Sequence, residues 1–297
     1  MKVLILGGSG MLGHKLWQVF SARFDTYVTL RRGIDSYAKY RIFKPQYTVD
    51  NVHVEDFNSV VRAIKHVRPE VVINCIGIVK QSEAAKDPLI SILVNALFPH
   101  QLTKLCIGEG IRTIHISTDC VFSGHKGNYI ESDISDAEDL YGRTKFLGEV
   151  SGEGCLTIRT SIVGRELETH NGLIEWFLEQ EGKTIKGYKR AVFSGFTTNA
   201  LAEIIAMIVS KYPQMNGVWH IASEPISKFE LLSIVKKVYG LNIQIEPDES
   251  VVVDRSLNAE RFRKATSFVS PSWHDMIEQM YRDSTPYSQL RRLHASR

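Results

Sequence analysis

Val3-Leu4-Ile5-Leu6-Gly7-Gly8-Ser9-Gly10-Met11-Leu12-Gly13 is the stretch on which the fold turns. Four apolar residues in a row, with no polar alternation, read as a strand covered on both faces, because a half-exposed strand would alternate. Glycines follow at once, and then Leu12, Leu16, Val19 and Phe20 recur at helical spacing. In a strand–turn–helix context, Gly7 and Gly10 leave room for a tight turn and for a pyrophosphate to approach backbone amides. Gly13 lets the helix pack close to the strand. The helix N-terminus then faces the phosphates. Gly7, Ser9, Gly10, Met11, Leu12 and Gly13 are therefore the first candidate dinucleotide contacts.

Working outward, continuous apolar runs at Val3 to Leu6, Tyr27 to Leu30, Val71 to Asn74, Thr113 to Ser117 and Leu156 to Arg159 alternate with helical patterns. One such pattern runs through Ile92, Asn95, Ala96, Leu102 and Leu105. This predicts an α/β fold, a Rossmann-type doubly wound parallel sheet, with a smaller C-terminal α/β substrate lobe. The nucleotide-binding domain is expected over 1–165, with segments at about 184–222 returning to it, and 166–297 mainly as the substrate lobe. Later helices are expected at Leu173 to Gln180, Leu201 to Ser210, Lys228 to Tyr239 and Trp273 to Tyr281. Ser227-Lys228-Phe229-Glu230 has the form of a capping box. With no repeat and no Pro/Gly linker, the two lobes should pack together and leave a substrate cleft between them.

Composition sets the bounds. The chain has 297 residues, 43% hydrophobic and 23% charged, which is ordinary for a folded globular protein. A formal net charge of +3 is too small to point to nucleic acid as a partner. The short apolar N-terminus reads as a strand rather than a signal sequence, and the longest apolar run, around Ala200 to Val209, is broken by Glu203. A cytoplasmic protein with no membrane partner is expected. Cys75, Cys106, Cys120 and Cys155 show no Cys-x-x-Cys spacing, and the ten His show no His-Glu-x-x-His, so neither a disulfide framework nor a metal site is expected.

The residue type after the second strand selects the nucleotide. An acidic side chain there suits the ribose 2′-hydroxyl of NADH, whereas Arg31-Arg32 suits a 2′-phosphate, so NADPH is favoured, with NADH as the alternative. Asp56 and Phe57, after a strand expected around Val52 to Val54, would flank the adenine. The fourth of those apolar runs ends in Ser117-Thr118-Asp119-Cys120, and Tyr141-Gly142-Arg143-Thr144-Lys145 follows on a helix. Tyr141 and Lys145 are i and i+4, so phenol and ammonium share one helix face, where the charge is expected to lower the tyrosine pKa. Thr118, at a strand's carboxyl end, could hold the same substrate oxygen.

At these residues the chain resembles the extended short-chain dehydrogenases/reductases, and within them the dTDP-4-dehydrorhamnose reductase type. The matching strings are Gly7 to Gly13, Asn74-Cys75-Ile76-Gly77, Ser117 to Gly124, Tyr141 to Glu149, Ile158 to Ser161, Gly195 to Thr198, and Gly217 to Ile221 with Ser227. The resemblance implies NADPH-dependent reduction of the 4-keto group of a nucleotide-linked 6-deoxyhexose, with Thr118, Tyr141 and Lys145 as the catalytic triad and Cys75, Ile76 and Gly77 beside the cofactor. A homodimer is left open. Cys120 stands where the family carries Tyr, and Ile162 where it carries Trp. Both remove aromatic bulk and suggest a different hexulose, such as a UDP-linked 2-acetamido sugar of capsule or O-antigen precursor synthesis. Lys80, Cys120, Val121, Phe122 and Arg165 are the candidate substrate contacts, while Arg165, Lys186, Lys189, Arg190 and Arg255 as a group suit a diphosphate. Trp176, Phe177, Phe193 and Trp219 are expected in the core. The Arg291-Arg292-Leu293-His294 run is expected to be a mobile end. The alternatives carried are a nucleotide-sugar epimerase that keeps its NAD(P) bound, and a non-catalytic NADP-binding subunit like the regulatory subunit of methionine adenosyltransferase.

Overall fold

The computed structural model describes residues 1–80 and 82–287; the Arg291 to His294 run lies outside them. Seven strands form one parallel sheet. In chain order the first six are β1 (Lys2–Leu6), β2 (Asp25–Thr29), β3 (Thr48–Val49), β4 (Val71–Asn74), β5 (Arg112–Ile116) and β6 (Cys155–Arg159), and the seventh is Gly217–His220. Across the sheet the order is Gly217–His220, β6, β5, β4, β1, β2, β3, every pair parallel. The third strand lies earlier than the Val52 to Val54 expected: the amide of Val52 still bonds the Leu30 carbonyl at 3.0 Å, but ladder pairing ends at Val49.

The unbroken apolar run of β1 is explained by its two covers. Val3 and Ile5 face α1 (Gly13–Phe20) and the helix Thr198–Lys211, whereas Leu4 and Leu6 face α2 (Phe57–Val67) and α3 (Pro88–Gly108). Alternate residues thus enter two separate cores, and all four are fully buried. Helix α3 is long and apolar enough to cross a membrane, which corrects the expectation that the longest apolar run lies around Ala200 to Val209. Val94, Phe98, Leu102 and Cys106 bury its inner face on the sheet, so its length serves the core.

Of the stretch 184–222, only the helix Thr198–Lys211 and the strand Gly217–His220 return to the main sheet. Thr184–Tyr188 pairs with Gln244–Asp248, and Ala191–Phe193 lies between Ile226–Ser227 and Val253–Asp254, forming the small lobe. Ser227 and Glu230 make both bonds of the capping box at the head of Lys228–Tyr239. Phe177 and Phe193 join the core and the half-buried Trp219 packs against it under the Arg261 guanidinium, 3.7 Å from the ring centre, but Trp176 is exposed. The chain crosses over between β1 and β4, and at such a switch point the loops after the two strands diverge and open a crevice.

Candidate active site

The crevice is a cleft of about 580 Å³ at the carboxyl ends of β1, β4, β5 and β6, closed on the far side by the small lobe. Gly10, Met11 and Leu12 form one edge. Gly7 has φ +83°, which favours glycine, and a Cβ at Gly13 would sit 2.1 Å from the Gly7 carbonyl oxygen. Strand and helix are therefore as close as backbones can come. Gly8 is equally constrained, since a Cβ there would lie 2.0 Å from Val28 Cγ2. Only its place in the glycine run pointed to it.

The floor comes from the end of β4. The buried Asn74 accepts a bond from the Ile76 amide at 3.0 Å, and Asn95 of α3 accepts one from the Ile78 amide at 2.9 Å. These two side chains hold Cys75, Ile76 and Gly77 against the cleft. The Cys75 thiol is pushed up to about 12 by burial, which leaves it a small neutral packing group.

The chemical wall is built by the turn after β5 and the helix Leu140–Leu147. Asp139 caps that helix, accepting from the Gly142 amide at 2.8 Å. A Cβ at Gly142 would meet the Cys120 carbonyl at 2.2 Å, so the helix presses directly on the 119–121 turn. This contact sets Tyr141 on the cleft wall beside Thr118, whose own hydroxyl donates to Asp119 at 3.1 Å and accepts from the Cys120 amide at 3.1 Å. One turn on, the Lys145 ammonium, 5% exposed, donates to the Ile116 carbonyl at 2.7 Å. Gly77 lies opposite: a Cβ there would stand 3.9 Å from Lys145 Nζ.

The electrostatics correct one expectation. Burial raises the Tyr141 phenol above its ordinary value, helped by the nearby Cys120, where the sequence predicted a lowering. Burial also lowers Lys145 to about 8, against the pull of Glu149. Desolvation is the largest cause for both groups. Tyr141 is therefore a protonated phenol at neutral pH, and Lys145 is still mostly an ammonium.

Other candidates divide. Lys80 and Cys120 line the cleft, with Lys80 paired to Asp139 at 2.6 Å. Val121 and Phe122 do not: both are fully buried in a small core where Phe122 stacks on Tyr129 at 4.1 Å. Arg165 is also corrected, since it is buried, bonds Glu175 at 2.9 Å and covers the Tyr287 ring. From the basic group Arg255 alone lines the cleft, while Lys186 and Lys189 pair with Asp248 and Glu249 on the small lobe. Arg31 and Arg32 sit exposed past β2, bonded to Glu55 and Glu168 respectively, and Arg32 also covers the Tyr37 ring. Asp56 precedes α2 and pairs with Arg62, and Phe57 packs edge-on against Phe98.

Asp119, Ser161 and Lys228 were missed, and all three line the cleft. Burial raises Asp119 and lowers Lys228, with Arg255 adding to the second and opposing the first. A signal for Lys228 was available: a cation at the first position of a capped helix opposes the helix dipole, so its presence asks for another reason. Cys120 and Ile162 do share the cleft, so both departures from the aromatic pattern bear on one space.

The RmlD substrate binding domain profile matches residues 1–285. The chain belongs to that family. A dTDP-4-dehydrorhamnose reductase from Streptomyces griseus is 31% identical over 147 residues, 49% of this chain but 43% of that protein, so the chain spans less than half of that relative's length in the match. The methionine adenosyltransferase 2 subunit beta of Xenopus laevis is 23% identical over 81% of this chain and 72% of its own. A crystal structure of dTDP-4-dehydrorhamnose reductase from Bacillus anthracis in complex with NADP superposes with a TM-score of 0.76 at 18% identity, covering 94% of this chain and 98% of that one. That last likeness is one of fold.

Proposed function

We propose that the chain is an NADPH-dependent reductase of the 4-keto group of a nucleotide-linked 4-keto-6-deoxyhexose, serving polysaccharide precursor synthesis. The observation that carries this reading is the wall on which Tyr141, Thr118 and Lys145 meet across one cleft from the glycine turn. The glycine turn suits a dinucleotide, because a Cβ at Gly7 would press on Ile76 and one at Gly13 on the Gly7 carbonyl, so only glycines let the strand end and the helix N-terminus close up beneath a pyrophosphate. A bound NADPH would supply the hydride for C4. Thr118 and Tyr141 hold the C4 oxygen, and Tyr141 Oη gives it a proton as charge develops there. A raised phenol pKa is the right condition for that role, since reduction needs a loaded donor. Lys145, on the same helix face, carries the charge that favours the phenolate left behind. Arg31 and Arg32 would turn from their glutamates to the 2′-phosphate.

Cys120 and Ile162 leave room beside the sugar, and we assign that room to a 2-acetamido group on a UDP-linked substrate. The test measures NADPH consumption with UDP- and dTDP-linked 4-keto-6-deoxyhexoses, with and without the acetamido group. Turnover with a dTDP sugar alone would refute the acetamido assignment, and turnover with none would refute the reductase. A second reading, a non-catalytic dinucleotide-binding subunit, is favoured by the similarity to the adenosyltransferase subunit over 81% of the chain. Tyr141→Phe separates the two: a reductase loses turnover by about a hundredfold or more with NADPH affinity kept, while a regulator is indifferent.

A further inference from the structure

The Gly-rich turn is tied to a segment almost the whole chain away. After the helix Trp273–Tyr281, residues 283–287 lie across the first turn of α1. Asp283 bonds Lys15 Nζ at 2.5 Å and Asn199 at 2.6 Å, and Thr285 bonds Lys15 at 3.0 Å and Gln18 at 2.8 Å. Lys15 is 2% exposed, so its ammonium is sealed beneath this segment. Tyr287, also buried, closes the far end, with the Lys15 and Arg165 cations 5.1 and 4.7 Å from its ring centre.

The decisive contact runs through His14. Its Nδ1 lies 2.8 Å from the Gly10 carbonyl oxygen and its Nε2 lies 2.5 Å from Tyr287 Oη. A carbonyl can only accept, so Nδ1 carries the proton. In a neutral ring Nε2 must then accept, and the Tyr287 hydroxyl donates. Full burial keeps the ring neutral, lowering it to about 3. The Gly10 carbonyl takes a second bond, from the His14 amide at 3.2 Å. Because the peptide is planar and trans, fixing that oxygen also fixes the Met11 N–H on its opposite side, and Met11 and Leu12 line the cleft.

We propose that Asp283–Tyr287 is a positioning strap for the cofactor turn, in which Tyr287 acts through His14 on the Gly10–Met11 peptide to aim its amide at the dinucleotide pyrophosphate. The inference rests on the dinucleotide reading and adds a positioning pair, His14 and Tyr287, that touches neither substrate nor cofactor. Its logic is pre-organisation: a turn of glycines is entropically loose, and an external hydrogen bond that selects one peptide orientation lowers what binding must spend on ordering it.

The test uses the full chain and two substitutions. Tyr287→Phe keeps the ring over Lys15 and Arg165 and removes one hydroxyl. His14→Asn keeps a donor near the place of Nδ1 and removes the acceptor. For each, the NADPH dissociation constant is measured by fluorescence titration, and amide exchange at Met11 and Leu12 is measured with and without cofactor. Each single substitution should weaken NADPH binding about 5- to 10-fold, the span of one hydrogen bond of ordinary strength, and speed exchange at Met11 without cofactor. The double variant should be no worse than either single one, since both cut the same relay. Wild-type affinity in Tyr287→Phe, or effects that multiply in the double variant, would overturn the strap. Wild-type protein that binds neither NADPH nor NADH would instead overturn the dinucleotide reading. The cofactor-free exchange rates then still decide whether Tyr287 holds the turn, and unchanged rates in Tyr287→Phe refute it.

Discussion

Replacing Lys145 by Met should make the protein more stable and less active at once. The Met side chain fills the aliphatic path of the lysine and removes only the ammonium. Burial lowers that group from 10.5 to about 8, and at about 1.36 kcal/mol for each pKa unit the charged form costs folding about 3 kcal/mol at neutral pH. Against this stands the bond to the Ile116 carbonyl, worth about 1 kcal/mol, with a further about 1 kcal/mol if that carbonyl stays dry. A net gain of about 1 kcal/mol is expected. The sign of the pH dependence is sharper. Between the folded value near 8 and the unfolded value near 10.5, the unfolded chain binds more protons, so wild-type stability from this group rises with pH across that window. Below it, the full penalty applies. The advantage of Lys145→Met should therefore shrink by about 2 kcal/mol between pH 7 and pH 9.5, and reverse sign. Urea unfolding at the two pH values reads this directly, and turnover measured alongside should fall by two orders of magnitude or more. A stability difference that stays constant or widens with pH would show that Lys145 carries no desolvated charge, and the account of the site's electrostatics would fail.

Other substitutions test the remaining parts. Gly13→Ala places a Cβ 2.1 Å from the Gly7 carbonyl oxygen and should abolish dinucleotide binding or folding, read by NADPH titration beside circular dichroism. Arg32→Ala removes a guanidinium now shared by Glu168 and the Tyr37 ring, and should cut the preference for NADPH over NADH by about tenfold while leaving NADH affinity alone. Equal loss for both nucleotides would refute the 2′-phosphate role. Glu149→Gln breaks the two-pronged bond to Arg159, 2.8 and 2.7 Å, both partners nearly buried, and should cost about 3 kcal/mol or more in unfolding. It also removes the carboxylate that holds Lys145 up, so the alkaline limb of the rate profile should move to lower pH.

The parts of this molecule legible in the sequence are those governed by local rules. Strands β1 and β4 announce themselves as unbroken apolar runs because both their faces are covered, while β5 and β6 bury His115 and Thr157 between their apolar residues, and Tyr141 and Lys145 share a face because a helix turns every 3.6 residues. The parts not legible depend on where distant segments land. Val121 and Phe122 follow the cleft-lining Thr118 closely, yet the short turn at Asp119 to Val121 directs both side chains into a core with Tyr129 and Leu257. Arg165 is ordinary as a candidate until Glu175 arrives beneath it. The Tyr141 pKa was misjudged for the same reason. Spacing shows which charge is near, whereas desolvation is set by α3, the 119–121 turn and the small lobe together.

That division separates scaffold from site. Three buried charges away from the cleft are matched by opposite charges at contact distance, Arg159 with Glu149, Arg165 with Glu175 and Lys15 with Asp283, while Arg112 is held by the Tyr212 and Met215 carbonyls. Along the cleft the pairing is looser. Lys145 is held by a carbonyl, Asp119 by the Thr118 hydroxyl, and Arg255 by the Phe122 carbonyl. Burial pushes Asp119 and Lys228 toward their neutral forms. A protein gains nothing in stability from such groups, because desolvation falls on them without full compensation. Their placement makes physical sense when a charged ligand completes them: a diphosphate entering beside Lys228 and Arg255 would pair with both cations and raise Lys228 again. Ligand binding should then take up protons at alkaline pH, where the lowered Lys228 begins to lose its own, so calorimetric titration of the nucleotide sugar there in buffers of different ionisation heat should show uptake. Lys228→Met should abolish it, and equal heats in every buffer would exclude Lys228 from the diphosphate site.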